Sequence, residues 1–339
     1  MRTKSAGVTL RIEMRWRRWY TKAAAESAVE KETCFMKKLL FIGSTVVDVI
    51  INIDHLPRTC EDVNVYGQEL AMGGCAFNAY SMARRFSGAC ELFSPVGSGV
   101  YGDYIQKHLD EAGICVPIPR PEKENGCCYC FVEPNGERTF VSYHGADYLF
   151  EKKWFDALDA KEIGGAYFCG IEVEDTTGGN IIAFLEKNPH ITSYFAPGPR
   201  ITRLQPERLR RILNLHPVLH LNEEEAVDAA AMYASPADGS VEAAAAALSE
   251  LTGNMVVVTL GEKGCMYCRS GEIGYAEGFP AEVADTIGAG DSHIGALMGQ
   301  LHSGVELPDA LRTANRVASA VVSVRGARLT DEEFTAVLG

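Results

Sequence analysis

Six short runs dominated by apolar residues, at 39–43, 92–96, 166–171, 193–196, 218–221 and 255–260, limit this chain more than any other feature. A strand with one wet face alternates apolar and polar residues, so runs without alternation need cover on both faces. Stretches with helical periodicity lie between them, at 76–86, 104–112, 181–187, 206–213 and 243–251. Strand and helix in alternation imply an α/β fold, a mostly parallel sheet layered between helices. A hairpin, 264–269 with 272–277, and two helices from Ala289 and Pro308 close the pattern. The alanine-rich 243–248 reads as helix, and no internal repeat is found.

Residues 49–71 and 115–144 alternate apolar and polar residues around the turn signals Leu56-Pro57 and Pro134-Asn135-Gly136. They read as antiparallel strands of a small β-sheet lid over the carboxyl ends of the parallel strands, where open α/β sheets bind ligands. The expected core is then 36–48, 72–114 and 145–339. Residues 1–35 hold eight Lys/Arg against four Asp/Glu, including Arg15-Trp16-Arg17-Arg18-Trp19. A basic targeting segment and a nonfunctional extension are both open readings. The second is preferred, because Met36-Lys37-Lys38-Leu39 resembles a natural start entering a strand.

The formal charge of −13 argues against a nucleic-acid or membrane-surface partner, since phosphate-rich surfaces select basic faces. Without residues 1–35, 24 basic and 41 acidic residues remain. No apolar run reaches the roughly 18 residues of a membrane span. Eleven cysteines in a chain of 339 residues without a recognisable signal peptide suggest reduced thiols in a cytoplasm.

The chemistry concentrates in Asp285-Thr286-Ile287-Gly288-Ala289-Gly290-Asp291. Ile294, Leu297 and Leu301 follow at helical spacing, so Gly288, Ala289 and Gly290 approach a helix N-terminus. Free N–H groups and the helix dipole favour an anion there, and Asp291 in the first turn could take a proton from an attacking hydroxyl. A plain glycine turn before an acid-capped helix remains equally open from these residues alone.

The whole segment resembles the C-terminal signature of the ribokinase-like carbohydrate kinases, the family of phosphofructokinase B and adenosine kinase. Further matches run in order from residue 36 to about 330. Gly43-x4-Asp48, Gly73-Gly74-x3-Asn78, Asn222-x2-Glu225, Thr259-Leu260-Gly261-x2-Gly264 and Asn315 to Ala327 each resemble a family motif. The resemblance implies a ribokinase-like three-layer fold and ATP-dependent phosphoryl transfer to a sugar hydroxyl. Asp291 is then the base, Gly288, Ala289 and Gly290 hold the phosphoryl group, and Asp48, Gly73, Gly74 and Asn78 bind substrate. Asn222, Thr259, Gly261, Gly264 and Asn315 border the nucleotide. Glu225 holds Mg2+ through water, Asp285 and Ile287 lie near a monovalent cation such as K+, and the lid can mediate a homodimer. A nucleoside kinase and a noncatalytic sugar- or nucleotide-binding relative are the alternatives.

Several residues carry competing readings. Gly97-Ser98-Gly99-Val100-Tyr101-Gly102 has dinucleotide spacing, yet Ile118-Pro119-Arg120-Pro121 follows where a ribose-binding acid belongs. Relatives usually have Asp at Gly99. Cys127 with Cys130 and Cys265 with Cys268 have zinc half-site spacing, but residues three apart on a strand face opposite ways. His293 reads as a packing histidine or a ligand contact, and Phe77 and Tyr80 as core residues or stacking platforms. Ala196 replaces an Asp common in relatives. Ribokinase usually has Lys within its glycine-glycine motif, whereas Cys75-Ala76-Phe77 fills that interval here, so ribose is not specially favoured.

Overall fold

The computed structural model describes residues 37–338, so the expected extension and the start at Met36 lie outside the described residues. In chain order the strands are β1 (Lys38–Ile42), β2 (Val46–Ile53), β3 (Val65–Gly73), β4 (Cys90–Phe93), β5 (Cys127–Val132) and β6 (Arg138–Tyr143). They continue as β7 (Ile163–Cys169), β8 (Thr192–Ala196), β9 (Val218–Asn222), β10 (Val256–Thr259), β11 (Gly264–Arg269) and β12 (Glu272–Glu277).

Eight strands form one sheet in the order β12-β11-β10-β9-β8-β7-β1-β4. Pairing is parallel from β4 to β10, and β11 and β12 add an antiparallel hairpin at one edge. Two hydrophobic clusters explain the unbroken apolar runs. In β1, Leu39 and Phe41 belong to one cluster, whereas Leu40 and Ile42 belong to the other. Each such side chain contributes roughly 1.5–3 kcal/mol by leaving water. Cys265 and Cys268 likewise divide between the two clusters, so both serve as packing thiols rather than converging on one metal.

The second sheet has the order β3-β2-β5-β6. Its hairpins β2–β3 and β5–β6 are antiparallel as expected, but β2 and β5 run parallel. The chain between them passes through the core and re-enters in the same direction. This sheet also starts earlier than the alternation suggested, so Asp48 lies within β2 rather than after a core strand. Residues 115–126 add only a bridge from Glu124 to Ser98.

Three helices escape periodicity. Lys152–Phe155 and Gly170–Glu174 are too short to show it, and Asp331–Leu338 was not anticipated. The last has a readable signal: Thr330 and Glu333 exchange N–H bonds at 2.7 and 3.2 Å in a capping box. Strand β7 stops at Cys169, short of residue 171, because the chain turns there to send Glu172 inward. Among the described residues no helix is long and apolar enough to cross a membrane.

Candidate active site

Parallel strands share one carboxyl edge, where the ends of β9 and β10 and the segments following β1, β9 and β10 carry Gly43, Asn222, Glu225, Thr259, Gly261 and Gly264. Asp48 lies on β2, Gly73 ends β3, Asn78 sits on the helix Cys75–Ala83 and Asn315 on the helix Leu307–Val321, while Asp285 leads into the helix Ala289–His302, whose N-cap is Gly288 at φ 72°. An added Cβ at Gly288 would sit 2.6 Å from Ala327 Cβ and 2.7 Å from its carbonyl oxygen. The left-handed turn and the close approach both require glycine.

Asp291 lies in that first turn and remains partly exposed. Its Oδ2 accepts a 3.1 Å hydrogen bond from Asn78 Nδ2, and Cys75 lies close enough to influence the carboxylate. Both residues sit on the helix Cys75–Ala83, which packs closely on the Asp291 helix where Gly295 meets the Ala79 carbonyl. Burial raises the Asp291 pKa to about 6; Asn78 and Cys75 act to lower it, and Glu172 to raise it. A carboxyl poised near neutrality suits general-base chemistry. Asn78 Oδ1 is buried without a hydrogen-bond partner among the described residues, an acceptor suited to a ligand hydroxyl.

Asp48 projects from β2 against Gly73, where an added Cβ would fall 1.9 Å from its Oδ2. Burial raises the Asp48 pKa to about 7; Asp291 and Asp285 add to the rise, and Arg328 opposes it. The Asp291 carboxylate thus lies near enough to Asp48 to push its pKa up. Gly74, at φ 104°, caps the Cys75–Ala83 helix directly after β3.

A cleft of about 750 Å³ opens on the other side of the Asp291 turn. Its walls include Thr259, Gly261, Gly264, Ala289, Gly290 and Asn315, so the structure gathers most of the expected nucleotide-side residues. Asn222 pairs with Thr259 across β9 and β10 and lies beside that wall. Asn222 and Glu225 form a capping box: Asn222 Oδ1 accepts from Glu225 N at 2.8 Å, and Glu225 Oε2 accepts from Asn222 N at 3.1 Å. Among the described residues no cluster of three or more His, Cys, Asp or Glu could alone hold a metal ion.

Asn315 acts as a bracket. Its Nδ2 donates to the Ala276 and Glu277 carbonyls at 3.0 Å each, so its Oδ1 is fixed as the acceptor for His293 Nε2 at 3.0 Å. His293 Nδ1 must then accept from His220 Nε2 at 2.8 Å. Burial lowers both imidazole pKa values, that of His293 to about 4. His293 is thus a fully buried packing histidine that also lines the cleft.

The remaining sequence features find structural roles. Gly97 N donates to Asn125 Oδ1 and Gly97 O accepts from Arg120 Nε, which binds the dinucleotide-like segment to the 120–125 loop. Phe77 and Tyr80 are core residues; Tyr80 meets Phe41 edge to face, and Arg328 lies 4.7 Å over Phe77. Ala196 ends β8 beside Cys169.

Sequence reading missed the interior support of the site. Glu172, fully buried, accepts 2.8 Å bonds from Ser44 N and Ser44 Oγ and a bond from Cys169 Sγ at 2.5 Å. Cys75, burial and Glu172 all push the Cys169 thiol well above its ordinary range. Arg328 and Arg138 were also unforeseen. Arg138, on β6, reaches Asp285 Oδ1 at 2.7 Å. The same oxygen accepts from Ile287 N at 2.9 Å, and Asp285 Oδ2 accepts from Gly326 N at 2.8 Å.

Comparison with known proteins identifies the family and the fold. The model of the pfkB family carbohydrate kinases matches residues 36–333. The uncharacterized sugar kinase YegV of Escherichia coli (strain K12) is 32% identical over 290 residues, 86% of this chain and 90% of its own. The ribokinase of Arabidopsis thaliana complexed with ribose and ATP superposes with a TM-score of 0.72 at 19% identity, covering 89% of this chain and 98% of that one. The nucleoside kinase of Burkholderia thailandensis in complex with inosine superposes at 0.70 and 18% identity, covering 88% and 95%.

Proposed function

Because the chain belongs to the pfkB family of carbohydrate kinases, we propose that it transfers the γ-phosphoryl group of ATP to a hydroxyl of a small sugar or sugar derivative. The carrying observation is Asp291: a carboxylate with a pKa near neutrality, held by Asn78 at a helix mouth whose next residues line a 750 Å³ cleft. Asp291 takes the hydroxyl proton, and the N–H groups from Gly288 to Gly290 stabilise the charge on the transferring group. Asp48 and the free Asn78 Oδ1 hold substrate hydroxyls against the Gly73-Gly74 turn, and the second sheet serves as the lid. Thr259, Gly261, Gly264 and Asn315 border the adenosine side.

Magnesium bound with the nucleotide supplies charge neutralisation to the phosphates. Glu225 would hold it through water, since capping bonds leave lone pairs on its carboxylate and Mg2+ keeps several waters. Val65, Tyr66, Phe140, Val141 and Tyr143 expose apolar surface on the second sheet, which supports pairing of two copies through it. A cytoplasmic location fits the cysteine-rich, acidic composition.

A panel of pentoses, hexoses, sugar acids and nucleosides, read by ADP release, tests the acceptor class. We expect turnover with a sugar or sugar acid. Turnover restricted to nucleosides would replace that reading with nucleoside phosphorylation, which the inosine-bound structural neighbour keeps in view.

The pH profile provides a second check. Both Asp291 and Asp48 must be ionised to act, so kcat/KM should fall as pH drops through 7 and 6. A flat profile down to pH 5 would exclude both carboxylates from the rate-determining chemistry.

A further inference from the structure

The carboxylate by which the family resemblance would bring in a monovalent cation is already neutralised from within the chain. Asp285 is 1% exposed at its side chain, and Arg138 Nη1 lies 2.7 Å from its Oδ1. Two backbone N–H groups, of Ile287 and Gly326, complete the shell. The Arg138 side chain is itself only 15% exposed. A second cation at this carboxylate would meet a fixed positive charge in a poorly solvated place, so the residues present do not fit one.

The position matters more than the charge alone. Asp285 begins the turn that ends in Gly288, and the N–H groups of Ala284 and Asp285 bond to the Val322 carbonyl at 2.8 and 3.1 Å. Whatever neutralises Asp285 therefore steadies the approach to the Asp291 helix. Arg138 does so from the edge strand of the second sheet, linking that sheet to the core.

We propose that Arg138 is a positioning residue that stands in for a monovalent cation, holding the 285–288 turn through Asp285 so that phosphoryl transfer needs no such ion. This inference rests on the kinase reading above.

The test compares the full-length protein in KCl and in tetramethylammonium chloride at equal ionic strength, by ADP release and by thermal midpoint. Wild type should give the same rate and the same midpoint in both salts. Arg138→Gln should lose about tenfold or more in kcat in tetramethylammonium. Potassium should restore much of that loss and raise the midpoint of the variant. Wild-type activity or stability that depends on potassium would overturn the proposal, as would a loss in Arg138→Gln that potassium leaves unchanged. Should Arg138→Gln not fold, the wild-type comparison still decides. The midpoint needs no acceptor, so failure to find a phosphorylated substrate would count against the kinase reading alone.

Discussion

Asp291→Asn should lower turnover by about 10²–10⁴-fold and raise the thermal midpoint at pH 7.5 by a few degrees. The first effect follows from the loss of the base. The second follows from burial. A carboxyl whose pKa is raised in the folded protein from 3.8 to about 6 favours folding while protonated, below its unfolded value. That contribution disappears as pH rises through 6, leaving a desolvated charge at pH 7.5. Asparagine keeps an acceptor for Asn78 Nδ2 and removes the charge. It should also let the Asp48 pKa fall, since Asp291 is the second-largest cause of its rise. Steady-state kinetics and a thermal melt decide both points. Near-normal turnover would place the base elsewhere, and an unchanged midpoint would show that the carboxylate is not strained by burial.

Gly73→Ala should reduce kcat/KM by about 10²-fold with little effect on folding. Gly73 does not have a positive φ, so alanine fits its backbone. The obstacle is Asp48: the new methyl group would lie 1.9 Å from Oδ2 and 2.7 Å from Cγ. The carboxylate must swing away, and the hydroxyls that we propose it holds would lose their place. A double-mutant cycle isolates this cause, because Gly73→Ala should add little in an Asp48→Ala background. Fully additive losses would mean that Gly73 acts through something other than Asp48.

The sequence revealed the fold where burial on both faces left no choice of residue. Runs such as 218–221 and 255–260 matched β9 and β10 closely because each successive side chain enters a different core. The glycine turn before the Asp291 helix was also legible, since φ 72° at Gly288 and a helix start need particular residue types in a local order. What stayed hidden joins distant segments through ordinary polar residues. Ser44 and Glu172 are 128 positions apart, and neither carries a local signal. Arg138 read as part of an alternating hairpin, and only the packing of the second sheet against the core turn brings it to Asp285. Asn222 and Glu225 show a different limit: one pattern encodes a helix cap as readily as a position beside a nucleotide.

The paired imidazoles of His220 and His293 give the protein a way to meet acid. An unfolded chain takes up protons at both rings near pH 6.5, whereas the folded chain resists, His293 until about pH 4. Acidification would therefore erode the fold through these two groups. Asp48 and Asp291 act oppositely over much of that range, binding protons in the folded state that the unfolded chain does not yet accept. The two pairs therefore pull the fold in opposite directions as pH falls, the buried imidazoles against it and the buried carboxyls for it.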